Sequence, residues 1–229
     1  VIHYYFNRLG KPNKKKIIAR TDGYHGSTYL AMSMTGVEFD HTGFDLAPDL
    51  VHHIPNPNPY RRPDGMTVDE FLDEKVADLE NKILDLGPDN VACFIAEPIM
   101  GAGGVVVPPP GYHKRTKEVC EKYEVLYISD EVVTGFRLAY GGAQEYYGVV
   151  PDLIAYGKAL GGGYPIGAFG GRTDIMEWTN EHRIGGSDYV WMASTLGGNP
   201  ISTAAANAAL GVFRLPGTYE KLHGLGFYL

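Results

Sequence analysis

The chain has 229 residues, 44% of them hydrophobic and 21% charged, with a formal net charge of -7 and an isoelectric point near 5.6. That length suits one large domain or two small ones, and the acidic balance argues against a nucleic-acid footprint. No apolar run reaches the roughly 20 residues that cross a bilayer, and no signal-peptide layout opens the chain, so a cytoplasmic protein without membrane contact is expected.

Residues 1–10 read as the end of a helix stopped at Gly10, followed by a turn at Lys11-Pro12-Asn13. Lys14-Lys15-Lys16, the one basic cluster, reads as a solvated lead-in to a short buried strand over 16–20. The loop Thr21 to Thr28 follows, with Ser27 or Thr28 placed to open a helix over 29–34. From Gly36 to Gly65 regular structure is scarce, and Pro55, Pro57, Pro59 and Pro63 forbid a helix or a central strand around them. A segment this long and irregular is a functional loop or a surface wrap.

Thr67 and Glu70 have the spacing of a capping box, and Val68, Phe71, Leu72, Val76, Leu79, Ile83 and Leu86 then recur at helical spacing until Gly87-Pro88. The charged face of this helix (Asp73, Glu74, Asp78, Glu80) reads as solvated. Val91 to Ala96 is a continuous apolar run, the pattern of a buried parallel strand, and it stops at Glu97-Pro98. Residues 112–123 read as a helix and 125–129 as a strand ending at Asp130. The stretch around Gly141, Gly142, Tyr146 and Tyr147 reads as irregular, 153–156 as a strand ending near Lys158, and 166–169 as one more strand. Asn199-Pro200 opens an Ala-rich helix, Pro216-Gly217 breaks it, and a further helix begins at Tyr219. Cys93 and Cys120 read as reduced packing residues rather than as a disulfide or metal site. Alternating strands and helices give an α/β fold with a mostly parallel sheet flanked by helices.

In an open parallel sheet the carboxyl ends of the strands share one edge, and ligands bind there. Four predicted strands are followed by Tyr24-His25, Glu97, Asp130 and Lys158 respectively, so these residues are expected to meet. A desolvated lysine amine is a nucleophile toward an aldehyde. Pyridoxal phosphate offers such an aldehyde, and its ring nitrogen takes an ionised acid as partner. Asp130 fits that partner, Tyr24 one face of a ring, and Val132 the other face, since it lies two residues beyond Asp130. Each residue also has an ordinary alternative. Lys158 is equally a solvated lysine after a strand, Asp130 a helix cap, Tyr24 a core aromatic, His25 a loop hydrogen-bonding residue and Glu97 a loop closure. Other cofactor motifs fail. Gly101 and Gly103 are followed by Val106, and Gly161 and Gly163 by Ile166, where a dinucleotide fingerprint needs a third glycine. Lys158 is followed by Ala159, not by the Ser or Thr of a P-loop, and no zinc-type spacing is present.

Tyr24-His25-Gly26, Ala96-Glu97-Pro98-Ile99 with Gly101 to Gly104, Asp130-Glu131-Val132 with Thr134-Gly135-Phe136, Pro151-Asp152-Leu153 leading to Gly157-Lys158, and Ser194 to Pro200 occur in one order. In that order and content the chain resembles the class III, fold type I, pyridoxal-phosphate-dependent aminotransferases. The resemblance implies that Lys158 forms the Schiff base with pyridoxal 5'-phosphate and shuttles a proton, and that Asp130 binds the pyridinium nitrogen. It implies further that Tyr24 and Val132 cover the ring faces, with His25 beside them, that Glu97 holds the adjoining polar network, and that Thr195 reaches the cofactor phosphate of a neighbouring subunit. The expected substrates are a small amine or amino acid and a keto acid, and the expected assembly is a homodimer with a shared active site.

The resemblance also sets the expected domain organisation. Residues 1–215 correspond to the large cofactor-binding domain without its N-terminal part, and residues 216–229 to the start of a connection to a C-terminal small domain, so the chain is expected to be the central part of a longer enzyme. The first half is similar to omega-transaminases. The second half, from Thr134 through Gly171, is similar to glutamate-1-semialdehyde aminomutase and its relatives, although His25-Gly26-Ser27-Thr28 departs from the aminomutase pattern. Transamination is therefore expected, with an aminomutase, or a catalytically incomplete module that binds the cofactor, as the alternatives.

Overall fold

The apolar run Val91–Ala96 lies in the middle of a six-stranded sheet and is buried at every position, as a run without alternation requires. The computed structural model describes residues 1–228. In chain order its first elements are α1 (Ile2–Arg8), β1 (Lys16–Arg20), α2 (Tyr29–Met34), β2 (Val51–Ile54), α3 (Val68–Leu86), β3 (Val91–Ala96) and α4 (Tyr112–Lys122). They are followed by β4 (Leu126–Glu131), α5 (Ala143–Tyr147), β5 (Leu153–Tyr156), β6 (Ala168–Gly171), α6 (Thr173–Met176), α7 (Pro200–Phe213) and α8 (Thr218–Tyr228). The last residue of the helix predicted from Tyr219, Leu229, lies outside the described residues.

The strand order is β2-β1-β3-β4-β5-β6. All neighbours are parallel except β6, which runs antiparallel to β5. The chain moves from β1 outward to β2 and then returns to the other side of β1 as β3. That reversal makes β1/β3 the topological switch point, where the loops leaving the two strands diverge and open a crevice.

Each face of the sheet carries its own core. Ile18, Phe94 and Tyr127 pack on one face against Leu72, Val76, Leu79 and Ile83 of α3 and Tyr112, Val119 and Cys120 of α4. Ile17, Ala19, Cys93, Ile95 and Leu126 pack on the other against Tyr5 and Phe6 of α1 and Ile175 of α6. The Thr67–Glu70 capping box is formed in both directions, whereas Thr28 precedes α2 without a side-chain cap. Both cysteines are free and buried, and burial pushes the Cys93 thiol up to about 12, far from a reactive thiolate. Among the described residues no helix is long and apolar enough to cross a membrane.

Several sequence expectations are corrected. The segment read as irregular contains β2, an edge strand paired to β1 from Ile17↔Val51 to Arg20↔Ile54. Strand β4 runs through Asp130 to Glu131, because pairing with β5 (Asp130↔Ala155, Glu131↔Tyr156) holds both acids extended. Helix α5 lies inside the stretch read as irregular. Its first amides, on Ala143 and Gln144, donate to the buried Glu131 carboxylate, which acts as a cap from outside the helix. The last strand begins at Ala168, two residues later than expected. Lys14 is not solvated. It is 1% exposed, and its ammonium donates to the carbonyls of Pro88, Val91, Tyr123 and Glu124 at 2.9–3.3 Å, which replaces its lost hydration. On α3, Asp73 and Glu80 are bonded across to Arg115 and Lys122 of α4, both at 2.6 Å, rather than simply solvated.

Candidate active site

The residues predicted to meet line one cleft of about 510 Å3 at the carboxyl ends of the strands. Its walls include Tyr24, His25, Glu97, Asp130, Val132 and Lys158, with Asp40, Gly101 and Ala102. The placement follows from the fold. Tyr24 and His25 leave β1, Glu97 leaves β3, Asp130 is the penultimate residue of β4, and Lys158 follows β5. The register of β3, β4 and β5 brings these strand ends to a common edge, with Ala96 opposite Ser129 and Asp130 opposite Ala155.

Two hydrogen-bonded pairs organise the cleft. His25 Nδ1 lies 2.8 Å from Asp130 Oδ2, with the imidazole 1% exposed and the carboxylate 9%. An ionised carboxylate only accepts, so Nδ1 carries the proton and donates. His25 Nε2 is then left buried without a partner among the described residues. The other oxygen of Asp130 accepts the amide of Val132 at 3.1 Å, which turns the chain so that Val132 also faces the cleft. The second pair joins Glu97 to two loops. Its Oε1 accepts the Tyr24 amide and its Oε2 the Gly101 amide, each at 2.9 Å. The backbone that carries the Tyr24 ring is thus anchored to the loop after β3.

Lys158 is exposed to the cleft and opens a 3-10 turn, Lys158–Gly161, just past β5. Its φ is +44°, a left-handed conformation that side-chain-bearing residues seldom adopt and that is stored mainly at functional positions. Gly157 before it makes room, since a Cβ there would press on the Val132 side chain at 3.3 Å.

Thr195 stands apart from this cluster. It occupies an exposed turn and does not line the cleft. Sequence reasoning missed Asp40, which enters the wall from a short helical turn in the segment read as irregular. It also missed Thr35, whose hydroxyl accepts the His25 amide at 3.0 Å. Neither belongs to a recognisable pattern. Only their positions in space mark them, Thr35 bonded to His25 and Asp40 on the cleft wall.

The donor set suits a ring-shaped cofactor that bears an aldehyde. The cleft offers one primary amine, a buried acid hydrogen-bonded to an imidazole, and an aromatic and an aliphatic side chain on its walls. An apolar hollow of about 320 Å3 elsewhere, lined by residues such as Ile17, Ile95, Ile128 and Phe169, holds no acid and no amine side chain. Among the described residues no cluster of histidine, cysteine and acidic side chains is arranged for a metal ion.

Comparison with known proteins agrees with this chemistry. The family described as "Aminotransferase class-III" matches residues 1–229. The chain is 40% identical over 219 residues to a probable gamma-aminobutyrate transaminase 4 of Oryza sativa subsp. japonica, covering 93% of this chain and 45% of that protein. It is 39% identical over 228 residues to the chloroplastic gamma aminobutyrate transaminase 3 of Solanum lycopersicum, covering 97% of this chain and 43% of the relative. Among solved structures, the omega transaminase from Pseudomonas jessenii in complex with PMP superposes with a TM-score of 0.85 at 38% identity, covering 92% of this chain and 47% of that one. The chain therefore spans somewhat less than half the length of these relatives.

Proposed function

The chain belongs to the class-III aminotransferases, and on that premise we propose that it supplies the cofactor-gripping part of a transaminase that moves an amino group from an amine or amino acid to a keto acid. Pyridoxal 5'-phosphate is the cofactor of this family, and when bound it supplies an aldehyde that captures amines and a ring that accepts the electrons released at the substrate carbon.

The observation that carries the reading is the convergence of Lys158, the Asp130–His25 pair and the Glu97–Tyr24 pair on one cleft. In this reading the Asp130 carboxylate, oriented by the hydrogen bond from His25 Nδ1, would hold the ring nitrogen of the cofactor. Tyr24 and Val132 hold the ring between them and exclude water from its faces. Lys158 Nζ, the primary amine of the cleft, would hold the cofactor through its aldehyde. When freed by an incoming amine, the same nitrogen would be placed to hold and move a proton at the substrate carbon. Glu97 keeps the Tyr24 loop and the Gly101 loop in register while this happens. Thr195, exposed and away from the cleft, is assigned to the cofactor phosphate of a partner subunit in a homodimer. The names of the relatives, gamma-aminobutyrate and omega transaminases, support a donor whose reacting amine is at the end of its carbon chain.

The test is spectroscopic. Protein mixed with pyridoxal phosphate should develop a visible band that borohydride bleaches, leaving a mass increment on the peptide that contains Lys158. Donor amines should bleach the same band and a keto acid should restore it. A Lys158→Ala protein that still transaminated would defeat the proposal.

A further inference from the structure

We infer that Arg20 is a positioning residue for the cofactor cleft, acting through the main chain of Glu97 from the opposite side of the sheet. The inference rests on the reading of the cleft as a pyridoxal-phosphate site.

Arg20 ends β1 and is 1% exposed. Strand alternation puts its side chain on the same face as Ile18, beside Tyr112, whose ring centre lies 5.9 Å from the guanidinium carbon. That face belongs to α3 and α4, and Arg20 is absent from the cleft lining. Its charge is nevertheless not spent on an ion pair, since none of the described salt bridges includes it. Nε and Nη1 are buried without partners among the described residues. One hydrogen bond is made: Nη2 donates to the carbonyl of Glu97 at 2.6 Å.

A buried guanidinium without a carboxylate is costly, and an apolar side chain of similar length at such a place is often neutral or stabilising. Packing therefore does not account for an arginine here. Its single bond goes to the residue whose carboxylate holds both the Tyr24 amide and the Gly101 amide. Glu97 is thus fixed at its main chain by Arg20 and at its side chain by the two loops that flank the switch point. If the Arg20 contact is lost, the Glu97 peptide can rotate, and the carboxylate can then no longer serve both loops with the same geometry. The Tyr24 ring, carried on one of those loops, loses its fixed place over the cofactor.

This separates two quantities that a merely structural residue would move together. Arg20→Met in the full-length protein should raise the dissociation constant of pyridoxal phosphate at least tenfold, read by absorbance titration. The melting temperature of the cofactor-free protein should stay equal or rise. Arg20→Lys, whose ammonium can donate to the same carbonyl, should recover most of the affinity. An Arg20→Met protein with wild-type affinity overturns the inference. So does a loss of affinity matched by a fall in cofactor-free melting temperature, since that assigns Arg20 to the core alone. Should Arg20→Met fail to fold, Arg20→Leu decides by the same two readouts: weaker affinity with an unchanged cofactor-free melting temperature supports the inference, and wild-type affinity overturns it. Failure of the wild-type protein to bind pyridoxal phosphate would sink the proposed function and this inference with it. Normal wild-type binding with indifferent Arg20 variants sinks this inference only.

Discussion

His25 and Asp130 are 105 residues apart in the chain, and their side chains meet at 2.8 Å. The imidazole holds the carboxylate in one orientation and leaves its charge facing the cleft. A charge-assisted bond of this kind contributes about 1.5–3 kcal/mol. His25→Leu should therefore weaken pyridoxal-phosphate binding by about tenfold or more, by that same scale, as measured by absorbance titration. Unchanged affinity would show that Asp130 needs no such partner.

Lys158 combines the primary amine of the cleft with a left-handed backbone, φ +44°. Such a conformation costs an L-residue about 1–2 kcal/mol, part of which glycine avoids. Lys158→Ala and Lys158→Gly should both lose borohydride-fixed labelling at this position. In urea unfolding, the glycine variant should be more stable than the alanine variant, by about 1 kcal/mol. If alanine proves the more stable, the turn stores no strain.

Gly142 has φ +76°, and a Cβ there would overlap the Glu131 carboxylate that caps α5. Gly142→Ala combines a disfavoured backbone with displacement of that cap, and should cost about 2 kcal/mol or more. Circular dichroism melting of the variant against wild type measures it. Because Glu131 adjoins Asp130, cofactor affinity should fall as well.

Burial pushes the His113 imidazole down to about 3, and the nearby charge of Arg20 adds to the shift. The unfolded chain binds the proton near pH 6.5, so between about pH 6.5 and 3 the unfolded state holds more protons than the folded one. Stability is therefore full above that window and falls with decreasing pH, by at most about 1.4 kcal/mol per pH unit from this residue. Burial also lowers His3, His52 and His53, which act in the same direction. Urea midpoints should decline from about pH 7 to about pH 5, and His113→Phe, beside the Tyr147 ring at 4.7 Å, should flatten the decline. An equally steep slope in the variant would place the acid sensitivity elsewhere.

Much of the site was legible because Tyr24, His25, Glu97 and Lys158 follow, and Asp130 lies near the end of, strands whose apolar runs can be read locally. Val91–Ala96 announces its own burial, and Glu97 follows directly. The His25–Asp130 bond was not legible, because nothing in local spacing tells two strand-end loops how closely their side chains approach. Asp40 reached the cleft wall from a segment with no motif. The burial of the Arg20 side chain beside Tyr112 was not legible either, because its neighbours lie far along the chain.

Features that depend on residues a few positions apart were legible in one dimension: the Thr67–Glu70 cap, the helical stripe behind it, the apolar runs of β3 and β5, and the order of polar strand endings. Features that depend on partners far along the chain emerge in the folded molecule. Strand β2, Val-His-His-Ile, has no apolar run of its own and exists through main-chain bonds to β1. Helix α5 starts where a carboxylate from β4 meets its amides. Lys14 is buried because four carbonyls from two separate segments, around 88–91 and 123–124, close around it. A local pattern is encoded by propensity and period, and so survives in one dimension. Pairing register and the placing of a charge are set by which segments the sheet brings together, and that information appears only when the chain is folded.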